Sequence, residues 1–281
     1  MKIQKGDVAV VTGVSRGLGV HIARALAARG LRLVLVARSQ LPLDELAAAL
    51  RAAGAEALVL AEDLGDPAAP ARIEAAAMAR YGRIDILINN AGADHAQCFD
   101  RIEPRQMERL LDINLAAPMR LTRALLPGMI ARCRGHVVNI ASIAGVMAGP
   151  YEEPYVAAKH GLVGFTRALR MSARELGWPV GVSAICPGFM EDAGIYADMQ
   201  REYDVSAPRS MGSLPAAALG AAVLECIERD RPLRYLMRGT PRLAAALQLL
   251  WPRFYEGLAT KLDTAAPFRK VVAARSQGRG I

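Results

Sequence analysis

The chain has 281 residues, with 35 Lys plus Arg against 27 Asp plus Glu, a net charge of +8, 53% apolar residues, 25 Gly and 16 Pro. This composition excludes a disordered chain and is large enough to bury a substantial core, and no low-complexity stretch splits it in two. The four cysteines, Cys98, Cys133, Cys186 and Cys226, are far apart and form no C-x-x-C pair, which argues against a metal knuckle or a disulfide framework and fits a reducing, cytoplasmic setting.

The N-terminal Met-Lys-Ile-Gln-Lys-Gly-Asp runs straight into a strand-like segment, without the apolar core and cleavage site of a secretory signal. Strand-length apolar runs follow at Asp7 to Thr12, Leu31 to Ala37, Ala55 to Ala61, Ile84 to Asn89, His136 to Ala141 and Val180 to Cys186. They alternate with helical periodicity near Leu18 to Arg29, Leu43 to Ala53, Ala68 to Tyr81, Asp112 to Arg132, Glu153 to Leu176 and Pro215 to Arg229. Strands apolar on both sides of the pleat, each followed by a helix, predict one α/β domain built on a doubly wound parallel sheet with helices on both faces. Ligands of such a sheet bind at the carboxyl ends of its strands. Gly30, Gly54, Gly82 and Gly177 stand where helix C-caps belong. The longest weakly polar runs, such as Pro215 to Ile227, are shorter than a membrane span.

The first strand leads into Thr12-Gly13-Val14-Ser15-Arg16-Gly17-Leu18-Gly19. Glycines between a strand and a helix let backbone N–H groups approach a pyrophosphate at the positive helix end, so this is a dinucleotide site. Its spacing is G-x-x-x-G-x-G. Further along come Asn89-Asn90-Ala91-Gly92, Asp112-Ile113-Asn114-Leu115, Asn139-Ile140-Ala141-Ser142, Tyr155-Val156-Ala157-Ala158-Lys159 and Pro187-Gly188. In order and spacing this set resembles the short-chain dehydrogenase/reductase family over about residues 5 to 240. A Rossmann-type catalytic domain is therefore expected over 1–240, followed by a C-terminal extension over 241–281.

Tyr155 and Lys159 share one helix face. A free tyrosine titrates near 10, so its phenolate needs a positive neighbour, which Lys159 can supply. The resemblance implies that Tyr155 exchanges a proton with the carbonyl or alcohol oxygen, that Ser142 holds that oxygen, and that Asn114 helps hold a water relay leading from the lysine. It also implies a nicotinamide nucleotide that carries the hydride. Cofactor contacts are expected from Gly13, Ser15, Arg16, Gly17, Leu18 and Gly19. Others are expected from Asp63 and Leu64 at the adenine edge, Asn90, Ala91 and Gly92, Tyr155 and Lys159, and Pro187 and Gly188. The second strand ends Val36-Ala37-Arg38-Ser39, with no acid to bond a ribose 2′-OH. Arg38 and Arg16 instead suit a 2′-phosphate, so NADPH/NADP is expected in preference to NAD. No histidine spacing suggests a metal site, and His160 is read as a helix-surface residue.

Two departures from the family pattern stand out. Asp192 occupies a position where the family often has a Thr that bonds the nicotinamide carboxamide, and Phe189 to Met211 is expected to form a substrate lid. From Pro241 to Leu262, Leu243, Leu247, Leu250, Trp251, Phe254, Leu258 and Leu262 recur at helical spacing, predicting an amphipathic helix with a kink at Pro252. It could pack on its own domain or a second copy, or serve as a flap or a membrane-surface contact. Arg269, Lys270, Arg275 and Arg279, beyond the last acid Asp263, are read as a solvated basic tail. The expected reaction is reduction of a ketone or aldehyde, with a lipophilic substrate suggested by Met147, Met190, Tyr196 and Met199. A 3-oxoacyl thioester on a carrier protein or coenzyme A, a steroid or polyketide substrate, and a cofactor-binding sensor without turnover are the alternatives. The resemblance further implies a homodimer or homotetramer, and the chain lacks a reading helix or aromatic platform for nucleic acid.

Overall fold

The structure is a computed structural model that describes residues 1–277. In chain order the first half runs β1 (Val8–Thr12), α1 (Leu18–Ala28), β2 (Arg32–Ala37), α2 (Gln40–Ala52), β3 (Ala57–Ala61), α3 (Ala69–Tyr81) and β4 (Ile86–Asn89). Then come α4 (Pro104–Leu111), α5 (Ala117–Ala131), β5 (Gly135–Ile140), α6 (Glu153–Glu175) and β6 (Val180–Pro187). After these follow β7 (Phe189–Met190), α7 (Ile195–Tyr203), β8 (Ser213–Leu214), α8 (Ala217–Glu228) and β9 (Leu233–Leu236). Three helices complete the described residues: α9 (Pro241–Leu250), α10 (Pro252–Lys261) and α11 (Ala266–Ser276).

Seven strands form one parallel sheet in the order β3-β2-β1-β4-β5-β6-β9. The doubly wound sheet read from the sequence is thus present, and the pleat explains why its strands are apolar throughout. Val8, Val10, Val34, Val36, Leu87 and Val137 turn to the side covered by α3 and α5. Their neighbours Ala9, Val11, Leu33, Leu35, Ile88 and Val138 turn to the side covered by α1, α2 and α8. Each face buries a full set of aliphatic side chains, so the strands have no polar side to show. The four glycines expected as helix caps all have positive φ.

Three expectations are corrected. The helix expected over Asp112 to Arg132 begins at Pro104 and passes through a π-helical turn, Asp112–Ala116, before α5. The helix expected over Pro241 to Leu262 breaks into α9 and α10 at Trp251 (φ −137, ψ 68), because a residue before proline avoids helical angles. The stretch read as a solvated basic tail instead includes α11, in which Pro267, Val271 and Val272 are buried. Arg269 pairs with Asp263, and Lys270 reaches Asp204. Arg279 lies outside the described residues.

One buried polar pair shows how closely the sheet is packed. His136 on β5 is fully buried, and its Nε2 lies 2.8 Å from Ser183 Oγ on β6. Ser183 donates its only proton to the Arg231 carbonyl at 2.6 Å, so it must accept from His136, which fixes the Nε2–H tautomer. Nδ1 is left unprotonated, has no partner among the described residues, and faces Gly181, where a Cβ would lie 2.3 Å away. Burial accordingly pulls the imidazole from 6.5 down to about 3. The unfolded chain binds a proton below pH 6.5 that the folded chain refuses until about pH 3, so stability is lost as pH falls through this window. Replacing the ring with a leucine removes that proton. Denaturant titrations across the window should show His136→Leu losing stability with falling pH less steeply than the wild type, by up to ~1.4 kcal/mol per pH unit. Parallel slopes would refute the assignment.

Candidate active site

The glycine turn sits between β1 and α1 because nothing larger fits there. Gly13 has φ +69, and a Cβ on it would lie 2.7 Å from the Ala91 Cα. A Cβ on Gly19 would lie 2.3 Å from the Gly13 carbonyl oxygen. The turn is pinned to the end of β4 from the other side. The Thr12 hydroxyl accepts from the N–H groups of Asn90 and Ala91, each at 3.0 Å, and donates to the Ile88 carbonyl. Asn90 Nδ2 donates to the carbonyls of Thr12 and Gly13 at 2.9 and 3.1 Å, so this amide braces the turn. Gly17 precedes the first turn of α1, where no side chain caps the free N–H groups. The loop with Ser15, Gly17 and Leu18 therefore offers backbone donors and a positive helix end to an anion, with a backbone approach that a Cβ would block. These residues fit a dinucleotide pyrophosphate.

Around this turn lie the other expected cofactor residues. Arg38 is exposed at the end of β2 and makes no ion pair among the described residues. Arg16 is exposed as well, but its guanidinium lies 3.1 Å from Asp198 on α7. Asp63 after β3 is exposed and accepts from the Gly65 N–H at 3.0 Å, while Leu64 turns into the core. Pro187 ends β6, and Gly188 donates its N–H to the Leu236 carbonyl at 3.0 Å.

On the other side of β4, the ends of β5 and α6 bring Ser142, Tyr155 and Lys159 together. Lys159 donates to the Ile140 carbonyl at 3.1 Å, and its Nζ lies 5.5 Å from the centre of the Tyr155 ring. Burial lowers the lysine to about 8. The Tyr155 phenol is pushed well up, first by burial and then by the charge of Asp94, with a hydrogen bond to Ser142 pulling the other way. Asn114 occupies the π-helical turn and is fully buried. Its Nδ2 donates to the carbonyls of Ala93 and Leu110 at 2.7 and 2.9 Å. Gly92 touches both groups, since a Cβ there would lie 2.7 Å from Asn114 Oδ1 and 3.5 Å from Lys159 Nζ.

Sequence reasoning missed a carboxyl pair beside this cluster. Asp94 and Glu152 share a hydrogen bond, and both are raised above the ordinary carboxyl range, chiefly by burial. The rise is larger for Glu152, which the charge of Asp94 opposes further. Their positions, two residues after Gly92 and three before Tyr155, are the only signal the sequence offers.

The lid region is anchored at several points. Gly194 lies against Leu18 and Gly17, so the start of α7 rests on the glycine turn. Asp192 accepts from the Ala216 N–H at 2.6 Å, which commits its carboxylate to the start of α8. Tyr196, Met199 and Tyr203 of α7 cluster with Val271 and Val272 of α11. Arg275 fastens this packing, donating to Tyr203 Oη at 3.1 Å and to the Ala96 carbonyl at 2.8 Å, beside Asp94. No group of three or more metal-ligating side chains occurs among the described residues, nor any helix long and apolar enough to cross a membrane.

The family model for short chain dehydrogenase matches residues 7–204. A ketoacyl reductase, HetN, from Nostoc sp. is 37% identical over 223 residues, which cover 79% of this chain and 76% of that protein. Among solved structures, a short-chain dehydrogenase/reductase from Burkholderia phymatum in complex with NAD is 27% identical, with a TM-score of 0.77 and coverage of 89% of this chain and 94% of that one. An actinorhodin polyketide ketoreductase variant with NADPH is 30% identical, with a TM-score of 0.75 and coverage of 84% and 97%. The match to the family model, together with the parallel sheet and the glycine turn, places this chain in the short-chain dehydrogenase/reductase family, as an oxidoreductase that acts between alcohols and carbonyl compounds with a nicotinamide nucleotide.

Proposed function

We propose that the chain reduces a ketone or aldehyde with NADPH, with Tyr155 as the proton donor in reduction and the proton acceptor in the reverse direction. The observation that carries this reading is the convergence of Ser142, Tyr155 and Lys159 at the carboxyl end of the sheet, across β4 from the glycine turn. The nucleotide, when bound, supplies or accepts the hydride.

The remaining work falls to this chain's side chains. Ser142 holds the reacting oxygen by a hydrogen bond, its Oγ being positioned by the Ala144 N–H, from which it accepts at 3.1 Å. Lys159 lends positive charge to a phenolate that burial disfavours. Asn114, locked by two backbone carbonyls, keeps the segment around Gly92 open beside the lysine. The Asp94–Glu152 pair adds a negative charge that favours the Lys159 ammonium and opposes the Tyr155 phenolate, so it keeps both groups protonated for reduction.

In this reading Gly13, Ser15, Gly17, Leu18 and Gly19 hold the pyrophosphate. Asp63 and Leu64 meet the adenine, Asn90, Ala91 and Gly92 border the cleft beside it, and Pro187 and Gly188 meet the nicotinamide end. Arg38, free of ion pairs among the described residues, takes the 2′-phosphate. Arg16 joins it by giving up Asp198, an exposed pair of the kind worth ~1 kcal/mol or less. Met147, Met190, Tyr196 and Met199, all buried, favour an apolar substrate in this reading. Self-association, where it occurs, uses the faces of α5 and α6 that expose Met119 and Met171. A 3-oxoacyl thioester is the second reading, favoured by the likeness to ketoacyl reductases.

Titration with NADPH and NADH by nucleotide fluorescence, followed by absorbance assays over ketones, aldehydes and 3-oxoacyl thioesters, tests the reading directly. Binding without turnover on every substrate would favour a sensor. Tyr155→Phe should retain NADPH affinity and lose ~10²–10⁴-fold in turnover; retained turnover would require another proton donor. Arg38→Asp should weaken NADPH by roughly 10- to 100-fold and leave NADH nearly unchanged. Equal losses would remove Arg38 from the phosphate site. Reduction should decline as pH rises through about 8, where Lys159 loses its proton. Removing the Asp94 charge lowers both Lys159 and Tyr155, so Asp94→Asn should move this decline to lower pH. A profile that stayed in place, or moved upward, would take the carboxyl pair out of the mechanism.

A further inference from the structure

Helices α9 and α10 fold against each other as a hairpin in which no residue is buried. Its apolar side chains are concentrated at the junction: Leu249 is 83% exposed, Leu250 66%, Trp251 60% and Phe254 61%. They are not a stripe lying on the sheet domain, as an amphipathic helix normally is. Leu249 and Leu250 are adjacent, so they leave the helix in different directions and form a wedge rather than a flat seam.

Charge around the wedge is predominantly positive, the exception being the exposed Glu256 on α10. From Arg231 to Tyr255 the chain carries five arginines and no acidic residue. Two of them, Arg231 and Arg234, are taken up by Glu225, whereas Arg238, Arg242 and Arg253 make no ion pair among the described residues. Arg253 stands beside the wedge at the start of α10, and Arg242 stands at the other end of α9, with its guanidinium 5.9 Å from the centre of the Tyr235 ring. We propose that the α9–α10 hairpin is a docking surface for an anionic lipid bilayer, with Leu249, Leu250, Trp251 and Phe254 entering the acyl boundary and Arg242 and Arg253 meeting the headgroups. An indole suits that depth because its ring is apolar and its N–H can reach water. A second copy on the same surface is disfavoured by charge, since a two-fold contact would bring the same arginines face to face. The hairpin also touches the rim of the active site, where the Ala148 N–H donates to Gln248 Oε1 at 2.9 Å, six residues beyond Ser142. Docking would therefore hold the substrate entrance at the lipid surface, and this last link rests on the reaction proposed above.

The test is flotation of the full chain with vesicles of phosphatidylcholine alone and of phosphatidylcholine mixed with phosphatidylglycerol. Trp251 emission is read in a Trp178→Phe background. The expected result is binding to the phosphatidylglycerol vesicles, weakened by salt, with a blue shift of the emission. Arg242→Ala with Arg253→Ala should weaken this binding about 25-fold, since each cation near an anionic surface is worth about fivefold. Leu249→Asp with Trp251→Glu should abolish it while leaving nucleotide binding and turnover of a water-soluble ketone intact. Absence of flotation, or flotation undisturbed by the Leu249→Asp, Trp251→Glu pair, overturns the docking surface. So does a blue-shifted Trp251 without lipid that coincides with a dimer in sedimentation, which would put a second copy on the wedge. Soluble-ketone turnover is measured on the same samples, so loss of the reaction and loss of docking are read separately.

Discussion

The Gly13 Cα and the Ala91 backbone meet at a distance that leaves no room for a Cβ, and much of the site depends on that contact. Thr12 and Asn90 hold it closed with a ring of hydrogen bonds between the end of β1 and the end of β4. Because Ala91 is fixed there, Gly92 is fixed one residue later, and Gly92 is where Asn114 and Lys159 meet. The nucleotide turn and the proton-transfer group are thus two sides of one short segment. A disturbance of either reaches the other through rigid backbone, not through a flexible side chain.

On the proton side, the governing term is desolvation. Tyr155 and Lys159 are both enclosed, and enclosure penalises the charged form of each, raising the phenol and lowering the ammonium. The two shifts drive the groups' proton affinities apart, so the phenol holds its proton more tightly than in water and the ammonium less tightly. Asp94 and Glu152 add a further charge, supplied by the segment after Gly92 and by the residue that precedes α6. Arg275, from α11, stands beside them at Ala96. A helix near the end of the chain therefore contributes to the electrostatics of a site otherwise assembled from the middle.

What could be read from the sequence was local. The strands were legible because burial on both faces leaves unbroken apolar runs, and the Tyr155–Lys159 pair because helical spacing alone puts both on one face. Gly13 and Gly19 were legible because their place between a strand and a helix has few other uses. The Asp94–Glu152 pair was not, since its partners are far apart in the chain and only tertiary packing makes them neighbours. Strand β9 is four residues long with an arginine inside it, too short to give a pattern. Helix α11 was hidden by its own charge: Val271 and Val272 are its only long buried side chains, and the basic residues around them read as a solvated stretch until their partners Asp263, Asp204 and Tyr203 are seen.

The π-helical turn at Asp112–Ala116 gives the family's asparagine a particular origin of position. Such a turn holds one more residue than an α-helical turn, and here Asn114 Nδ2 donates back to the Leu110 carbonyl near the end of α4. Removing a single residue from this stretch would restore a regular helix, but everything before it would rotate by ~100° relative to α5. Asn114 and α4 could not then both face Gly92. The segment can accept substitution on its outer side, yet its length is fixed to the residue.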